Sequence, residues 1–512
     1  MKTHSFLRIA FLAVILNGFI AFSSGQSTLR VAVSMPMLYD PPHIPVPMVR
    51  LSINGKPPAL FVLSSAAPFV LFIDKASASE LGLDTKTGWV SLQSVHAVDI
   101  LGNPTIELDI PAAYVDESNL GRISLGHKIV GIVGSNFFAA LPVELNFSEK
   151  KVTLYRNSVQ EILDMEKDKY IAIKLSRPNP EAWVHTVEVS APGRSHMEMQ
   201  VATGSWLSSL ATSDLKSVEL AAIAHTLIGL GRLDTSGGDQ IPTFLGRLEW
   251  LGVGSLKIRD VPCLVRLDMN ERVSRLGVDI LALFEQVILD YRSGYLLIKR
   301  PQGTLTARMP GVSGLTLQLS PAYKLRVAQV APRGAAERAG FQVGDEIVAV
   351  NTHPTDRLSA AVVQVMLDGY AGVPQRVQIV RDDKIVERVL TPDSPFASNM
   401  LEKPFTAMER GTFGFNAIPV EIEWPGGGKE HFLLVTQITS EFTRRAGLRV
   451  GDKIIAVNGR KKWDESELSE FLQEVEELRL TVMRPGETGT REVRVKRQTA
   501  GAASQTNQQE GK

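Results

Sequence analysis

Two apolar runs in this chain end in short turns of small and hydroxyl-bearing residues. ALFVL (59–63) leads into Ser64-Ser65-Ala66-Ala67-Pro68, and HMEMQV (196–201) leads into Ala202-Thr203-Gly204-Ser205. A hydroxyl at the end of a strand can hold a water, or attack if a base sits beside it, but it titrates too high to act as a base unaided. No acid adjoins either turn. The nearest downstream are Asp74 and Asp214, ten and twelve residues beyond Ser64 and Ala202. Each opens a helix-like segment, DKASASELGL and DLKSVELAAIA, and reads as an N-cap accepting from the first helical turn.

Other chemistries leave no pattern. The chain has no H-E-x-x-H, no G-x-S-x-G and no phosphate loop with its Lys-Ser/Thr pair. PGGGKEH (425–431) lacks the hydroxyl residue and reads as a hairpin turn. The nine histidines show no metal-ligand spacing, and His185 and His196 read as flanking one strand turn. Neither a metal nor a cofactor is expected. Cys263, the single cysteine, cannot form an internal bridge, and in VPCLVRL it reads as a buried inert thiol.

The elements that must position the two turns come in pairs. VPMVRLSINGKPPALFVL alternates with period two, turns at Asn54-Gly55 and runs into Ser64. VHTVEVSAPGRSHMEMQV does the same with its turn at Pro192-Gly193 and runs into Ala202. GSNFFAALPVELNFSEKKVTLY (134–155) and GVDILALFEQVILDYRSGYLLI (277–298) then share a layout ending in a β-hairpin, with Gly134/Gly277, Asn136/Asp279 and Phe147/Tyr291 in correspondence. Two similar β lobes, over 45–155 and 180–300, follow from this, with a cleft between them and 155–180 as a bridge. A second pair of repeats is plainer: ERAGFQVGDEIVAVN (337–351) and RRAGLRVGDKIIAVN (444–458), 107 residues apart. Each lies in a module of short strands and one later helix, over 311–392 and 411–498. Residues 392–410 separate the modules and read as a linker, and the polar tail 499–512 reads as disordered.

The two later repeats resemble PDZ domains of the kind attached to bacterial exported proteases, through Gly447, Gly451, Asp452, Asn458 and Gly459 in the second copy. The resemblance implies strand addition, in which a peptide pairs with an edge strand and its C-terminal carboxylate meets a loop of backbone N–H groups. Gly411-Thr412-Phe413-Gly414-Phe415 matches that loop well; the first copy offers Ser313-Gly314-Leu315-Thr316-Leu317, a weaker match. The expected peptide-binding residues are therefore Thr412, Phe413, Gly414 and Phe415, with Gly314 and Leu315. A helix from about residue 465, capped by Asp464 and carrying Leu468, Phe471, Leu472 and Val475 as its apolar stripe, would close the second groove.

Residues 45–300 resemble retropepsin-like and pepsin-like aspartic proteases in the bacterial version that carries PDZ domains. In that family each lobe supplies an aspartate in D-T/S-G-A/S after an apolar strand, and an apolar-Gly element braces the turn; Ile132-Val133-Gly134 and Arg275-Leu276-Gly277 resemble those braces. In this register Ser64 and Ala202 occupy the aspartate positions, so the resemblance implies an inactive homologue with no catalytic residue. The alternative is an active aspartyl-type peptidase with an atypical or misread site; a third reading makes the lobes purely structural.

The expected fold class is thus mainly β: a two-lobed aspartic-protease-like domain followed by two PDZ domains. Lys+Arg and Asp+Glu number 55 each, so charge gives no reason to expect nucleic acid as a partner. The expected partners are polypeptide C-termini or extended segments. Residues 1–25 read as a secretory signal, with Lys2, Arg8 and an apolar run from Ile9 to Phe22, which implies export to a periplasm or secretion, with membrane attachment only if the signal stays uncleaved.

Overall fold

The computed structural model describes residues 29–39, 44–68, 70–85, 88–99, 101–116, 128–177, 184–211, 228–234, 240–266, 273–320, 324–356, 358–395, 413–423, 429–438, 440–449, 452–461, 471–472, 475–484 and 489–497. The expected signal, the 499–512 tail, Asp214, Gly411, Thr412, Gly451, Asp464 and Leu468 lie outside them. The chain is mainly β, and its described residues are arranged in five sheets.

The period-two segments form the lobe sheets. In the first lobe, Asn54 and Gly55 both adopt positive φ, +50° and +69°, and turn Met48–Ile53 back onto Ala59–Leu63. The Asn54 carboxamide accepts from the Gln93 and Ser94 N–H groups, which ties this turn to the next strand. Six neighbouring strands run in the order Val95–Val98, Met48–Ile53, Ala59–Leu63, Ile129–Val133, Leu71–Asp74 and Ala112–Asp116. The second lobe repeats that order as Gln240–Val253, Thr186–Ala191, Arg194–Val201, Ser274–Leu276, Ser209–Ala211 and Leu256–Arg266. Directions repeat too. The third strand is parallel to the fourth, the fourth antiparallel to the fifth, and the fifth parallel to the sixth. In the second lobe the two outer strands also pair with each other, closing the sheet on itself.

Between the lobes lies a six-stranded sheet built from both hairpins. Its order is Val31–Pro36, Lys151–Tyr155, Val143–Asn146, Gln286–Asp290, Tyr295–Lys299 and Tyr170–Lys174. The two halves meet at its centre, where Val143 faces Leu289 and Asn146 faces Gln286. The lobes therefore extend past the ranges expected from sequence. Val31–Pro36 joins the sheet from before residue 45. The presumed bridge contains a helix, Val159–Met165, with a Ser158/Glu161 capping box, and the strand Tyr170–Lys174. Leu305–Thr306, beyond the second lobe's expected end at residue 300, pairs with Leu256–Arg266. The core under these sheets contains Phe61, Phe138, Phe284 and Tyr291, all buried, with the Phe138 and Tyr291 rings 5.7 Å apart. Cys263 is buried here as expected, and burial pushes its thiol up to about 12.

The two C-terminal sheets share one order. The first runs Leu315–Leu319, Leu325–Val330, Glu346–Val350, Gln375–Arg381, Lys384–Leu390; the second runs Phe415–Glu423, Lys429–Ile438, Lys453–Val457, Glu477–Met483, Thr490–Lys496. The repeated acid has one task in both. Asp345 pairs with Arg381 at 2.7 Å and accepts from the Gln342 N–H, while Asp452 pairs with Arg484 at 2.7 Å and accepts from the Arg449 N–H. Each arginine also donates to the backbone of the preceding glycine turn, at Gly340 or Gly447. Each module also has a short helix not anticipated from sequence, Ala335–Arg338 and Glu441–Arg445. Among the described residues no helix is long and apolar enough to cross a membrane.

Candidate functional site

The paired turns occupy equivalent places in the two lobes. Ser64 N–H donates to Val133 O at 2.8 Å and Ala202 N–H to Leu276 O at 2.9 Å, so each turn hangs from its lobe's brace strand. The next contacts repeat. Ser135 N–H donates to Ala67 O at 2.7 Å, and Val278 N–H donates to Ser205 O at 2.9 Å. These bonds place Ser64 opposite Ala202 in the internal repeat, as the sequence register has it.

What joins the turns is a reciprocal set of four hydrogen bonds made by the second residues, Ser65 and Thr203, two between them and two to the opposite strand. The Ser65 N–H donates to Thr203 Oγ1 at 2.9 Å, and Thr203 Oγ1 donates to Leu63 O at 2.7 Å. In the other direction the Thr203 N–H donates to Ser65 Oγ at 3.1 Å, and Ser65 Oγ donates to Val201 O at 2.7 Å. Both side chains are fully buried. Each bond contributes on the order of 1 kcal/mol net, and a buried group left without its partner costs about 1–3 kcal/mol. In sequence Ser65 reads as one residue of a small-residue turn; a hydroxyl at the second position of both turns is the signal that pairs it with Thr203.

The first positions carry no acid. The Ser64 side chain fills the space beside Gly204, where an added Cβ would come within 2.7 Å of the Ser64 hydroxyl. Ala202 is fully buried. Asp74 does what the sequence suggested: its two oxygens accept from the Ser77 N–H at 2.8 Å and the Ser77 hydroxyl at 3.0 Å, capping Lys75–Glu80. Beneath the turns, the buried Tyr291 hydroxyl lies 3.5 Å from Val201 O, and its ring stacks on His185 at 4.2 Å. Burial holds that phenol above its ordinary range. His196 is exposed and 2.6 Å from Glu188.

Asp279 is a buried acid near the second turn. One of its oxygens accepts from the Ser208 N–H at 2.9 Å and the Ser208 hydroxyl at 2.8 Å, while Ser208 Oγ accepts from the Gly277 N–H at 3.0 Å. Its other oxygen is buried and has no hydrogen-bond partner. Burial pushes the carboxyl up to about 7, against the pull of the Ser208 bonds. Asp279 thus fastens the brace to the strand that follows the turn. Among the described residues no three His, Cys, Asp or Glu side chains lie together as a metal would need.

In the C-terminal modules, the loop residues precede edge strands as expected. Gly314 and Gly414 take φ of +74° and +68°, which a side chain would strain. Leu315 and Phe413 are buried, so they serve the loops through their backbone, and Phe415 begins its strand. Phe413 O accepts from Thr443 Oγ1 at 2.6 Å. In the first module the Ser313 N–H and hydroxyl both donate to the carboxylate of Asp368, at 2.8 and 2.6 Å. That residue ends the helix Ala360–Asp368 and drew no notice in the sequence.

The first module has a recognised family. Residues 326–381 match the PDZ domain. A module of this kind binds peptide or protein segments. The chain is also 29% identical over 171 residues to a Neisseria meningitidis protein named "Putative zinc metalloprotease", an alignment covering 33% of this chain and 35% of that protein. The chain thus spans about a third of the length of the curated relative it matches. Among solved structures, the HtrA-type protease AlgW with tripeptide is 10% identical, with 68% of this chain and 94% of that one covered at a TM-score of 0.17. The photosystem II D1 C-terminal processing protease is 22% identical, with 25% and 32% covered at 0.16. TM-scores of this size carry no argument about architecture.

Proposed function

We propose that this chain is an exported, non-hydrolytic polypeptide-binding protein: a two-lobed aspartyl-protease-like body without its acids, followed by two PDZ modules that take C-termini or extended segments. One observation carries this reading. The four-bond junction at Ser65 and Thr203 is complete, yet the positions it aligns hold Ser64 and Ala202. Hydrolysis by this arrangement needs two carboxylates sharing a proton over one water. A serine hydroxyl and a methyl group supply neither base nor acid, and losing general-base help alone lowers rate by about 10²–10⁴. Asp279 offers no substitute, being buried and bound to Ser208. Zinc chemistry of the kind named for the Neisseria relative finds no H-E-x-x-H here.

Strand addition needs backbone edges rather than acids, so both a cleft between lobes and the module edges can hold extended polypeptide. Two modules on one chain raise avidity where both engage. Export rests on the character of residues 1–25. The test is to pass a diverse peptide mixture over the immobilised mature protein and identify what is retained. The proposal expects retained peptides at full length; retention of nothing, or recovery only of cut fragments, contradicts it.

A further inference from the structure

We propose that the groove of the first PDZ module takes an extended internal segment of polypeptide and turns away free C-termini, because the chain's own Asp368 already fills the carboxylate position. This rests on the reading of that module as a peptide binder and names its ligand class.

The strand Leu315–Leu319 ends its sheet, paired on one side with Leu325–Val330 and bordered on the other by the helix Ala360–Asp368. An added strand would lie there, and a terminal carboxylate would then meet the N–H groups of Ser313-Gly314-Leu315. Two of those donors are engaged. The Ser313 N–H donates to Asp368 Oδ1 at 2.8 Å, and the Leu315 N–H donates to Ser313 Oγ at 3.2 Å. The Ser313 hydroxyl holds the same carboxylate at 2.6 Å. Gln364 Nε2 completes the set, 3.1 Å from both Ser313 Oγ and Asp368 Oδ1 and 3.2 Å from Oδ2.

An incoming carboxylate would find these donors taken and a like charge beside it. An internal segment meets no such repulsion, since it pairs with the strand edge and continues past the loop, and a donor side chain on it would complement Asp368. Among the described residues of the second module no such device is present. Phe413 stands where Ser313 does, buried and without a hydroxyl to hold an acid. The two grooves thus divide the ligands, C-termini to the second and internal segments to the first.

The test is hydrogen–deuterium exchange on the full chain, with short random-sequence peptides prepared as matched free acids and C-terminal amides. The expected result is protection of 315–319 by amidated peptides at about tenfold lower concentration than by free acids, with the opposite preference at 415–423. Asp368→Ala should bring free-acid protection to 315–319, and Asp368→Asn, which keeps an acceptor for Ser313, checks that the change is not a folding defect. Protection of 315–319 by free acids and not by amides in the unaltered chain overturns the proposal. So does protection confined to 415–423 by every peptide, which leaves the broader binding reading standing. Protection of neither strand by any peptide overturns both.

Discussion

The two lobes share one strand order and differ at a few positions, and those positions show which parts of the design are held by geometry and which are not. Both lobes keep the strand, the turn, the brace and a hydroxyl at the second turn position. At the first position neither keeps an acid, and they lack it differently, as Ser64 and Ala202. Around the turns the supports diverge. The second lobe has Ser208, Asp279 and Tyr291 where the internal repeat gives the first lobe Val70, Asn136 and Phe147. At these three positions the polar supports belong to the second lobe, while in the first lobe a buried acid, Asp74, caps its helix.

The largest effect should come from Gly277. A Cβ there would sit 2.7 Å from the Leu207 carbonyl carbon and 2.8 Å from the Ser208 nitrogen, both backbone atoms that cannot swing aside. Gly277→Ala should lower stability by about 3 kcal/mol, read as a shift in urea midpoint with unchanged slope. A near-neutral result would mean the second brace is less rigid than its hydrogen bonds imply.

Next come the two hydroxyls of the junction, where the comparison can be sharpened. Thr203→Val leaves the Ser65 N–H and Leu63 O without partners, and should cost about 2–3 kcal/mol. Ser65→Ala similarly strands the Thr203 N–H, but the Tyr291 hydroxyl remains beside Val201 O at 3.5 Å. Its cost should be smaller, about 1–3 kcal/mol. Equal losses would show that Tyr291 gives no compensation, and the Tyr291→Phe background should then leave the Ser65→Ala loss unchanged.

Read per pH unit, the smallest effect concerns pH. Asp279 has its carboxyl pushed from an ordinary 3.8 up to about 7 by burial, so the folded state holds a proton that the unfolded state gives up sooner. Its contribution to stability is fully present below 3.8 and is lost as pH rises through about 7. The slope cannot exceed about 1.4 kcal/mol per pH unit. Asp279→Asn keeps an acceptor for Ser208 and gives the second lobe the residue the first has at Asn136. Thermal melts across this window should show a flatter dependence for the variant; an identical slope would place the titrating group elsewhere.

Much of the fold was legible because it is written in local pattern. Period-two alternation around Asn54-Gly55 and Pro192-Gly193, and the repeated glycines of the braces, specify hairpins and turns without reference to distant chain. The junction was not legible in the same way: Ser65 and Thr203 lie 138 positions apart and meet only because two lobes dock. The same holds for Asp368 and Ser313, 55 apart, where an acid ending a helix looks from sequence like an ordinary exposed residue. Val31–Pro36 and Tyr170–Lys174 were missed because their partners belong to hairpins elsewhere in the chain.

The proposed function makes Ser64 and Ala202 stand where an aspartyl-protease-like scaffold would need its two acids. The measurement that meets it most directly is peptide cleavage from acidic to neutral pH, followed by mass spectrometry, with the unaltered protein beside Ser64→Asp/Ala202→Asp. The account predicts every peptide intact with the unaltered protein and acid-range cutting by the double variant. Cutting by the unaltered protein that persists through rigorous removal of contaminating protease would contradict it.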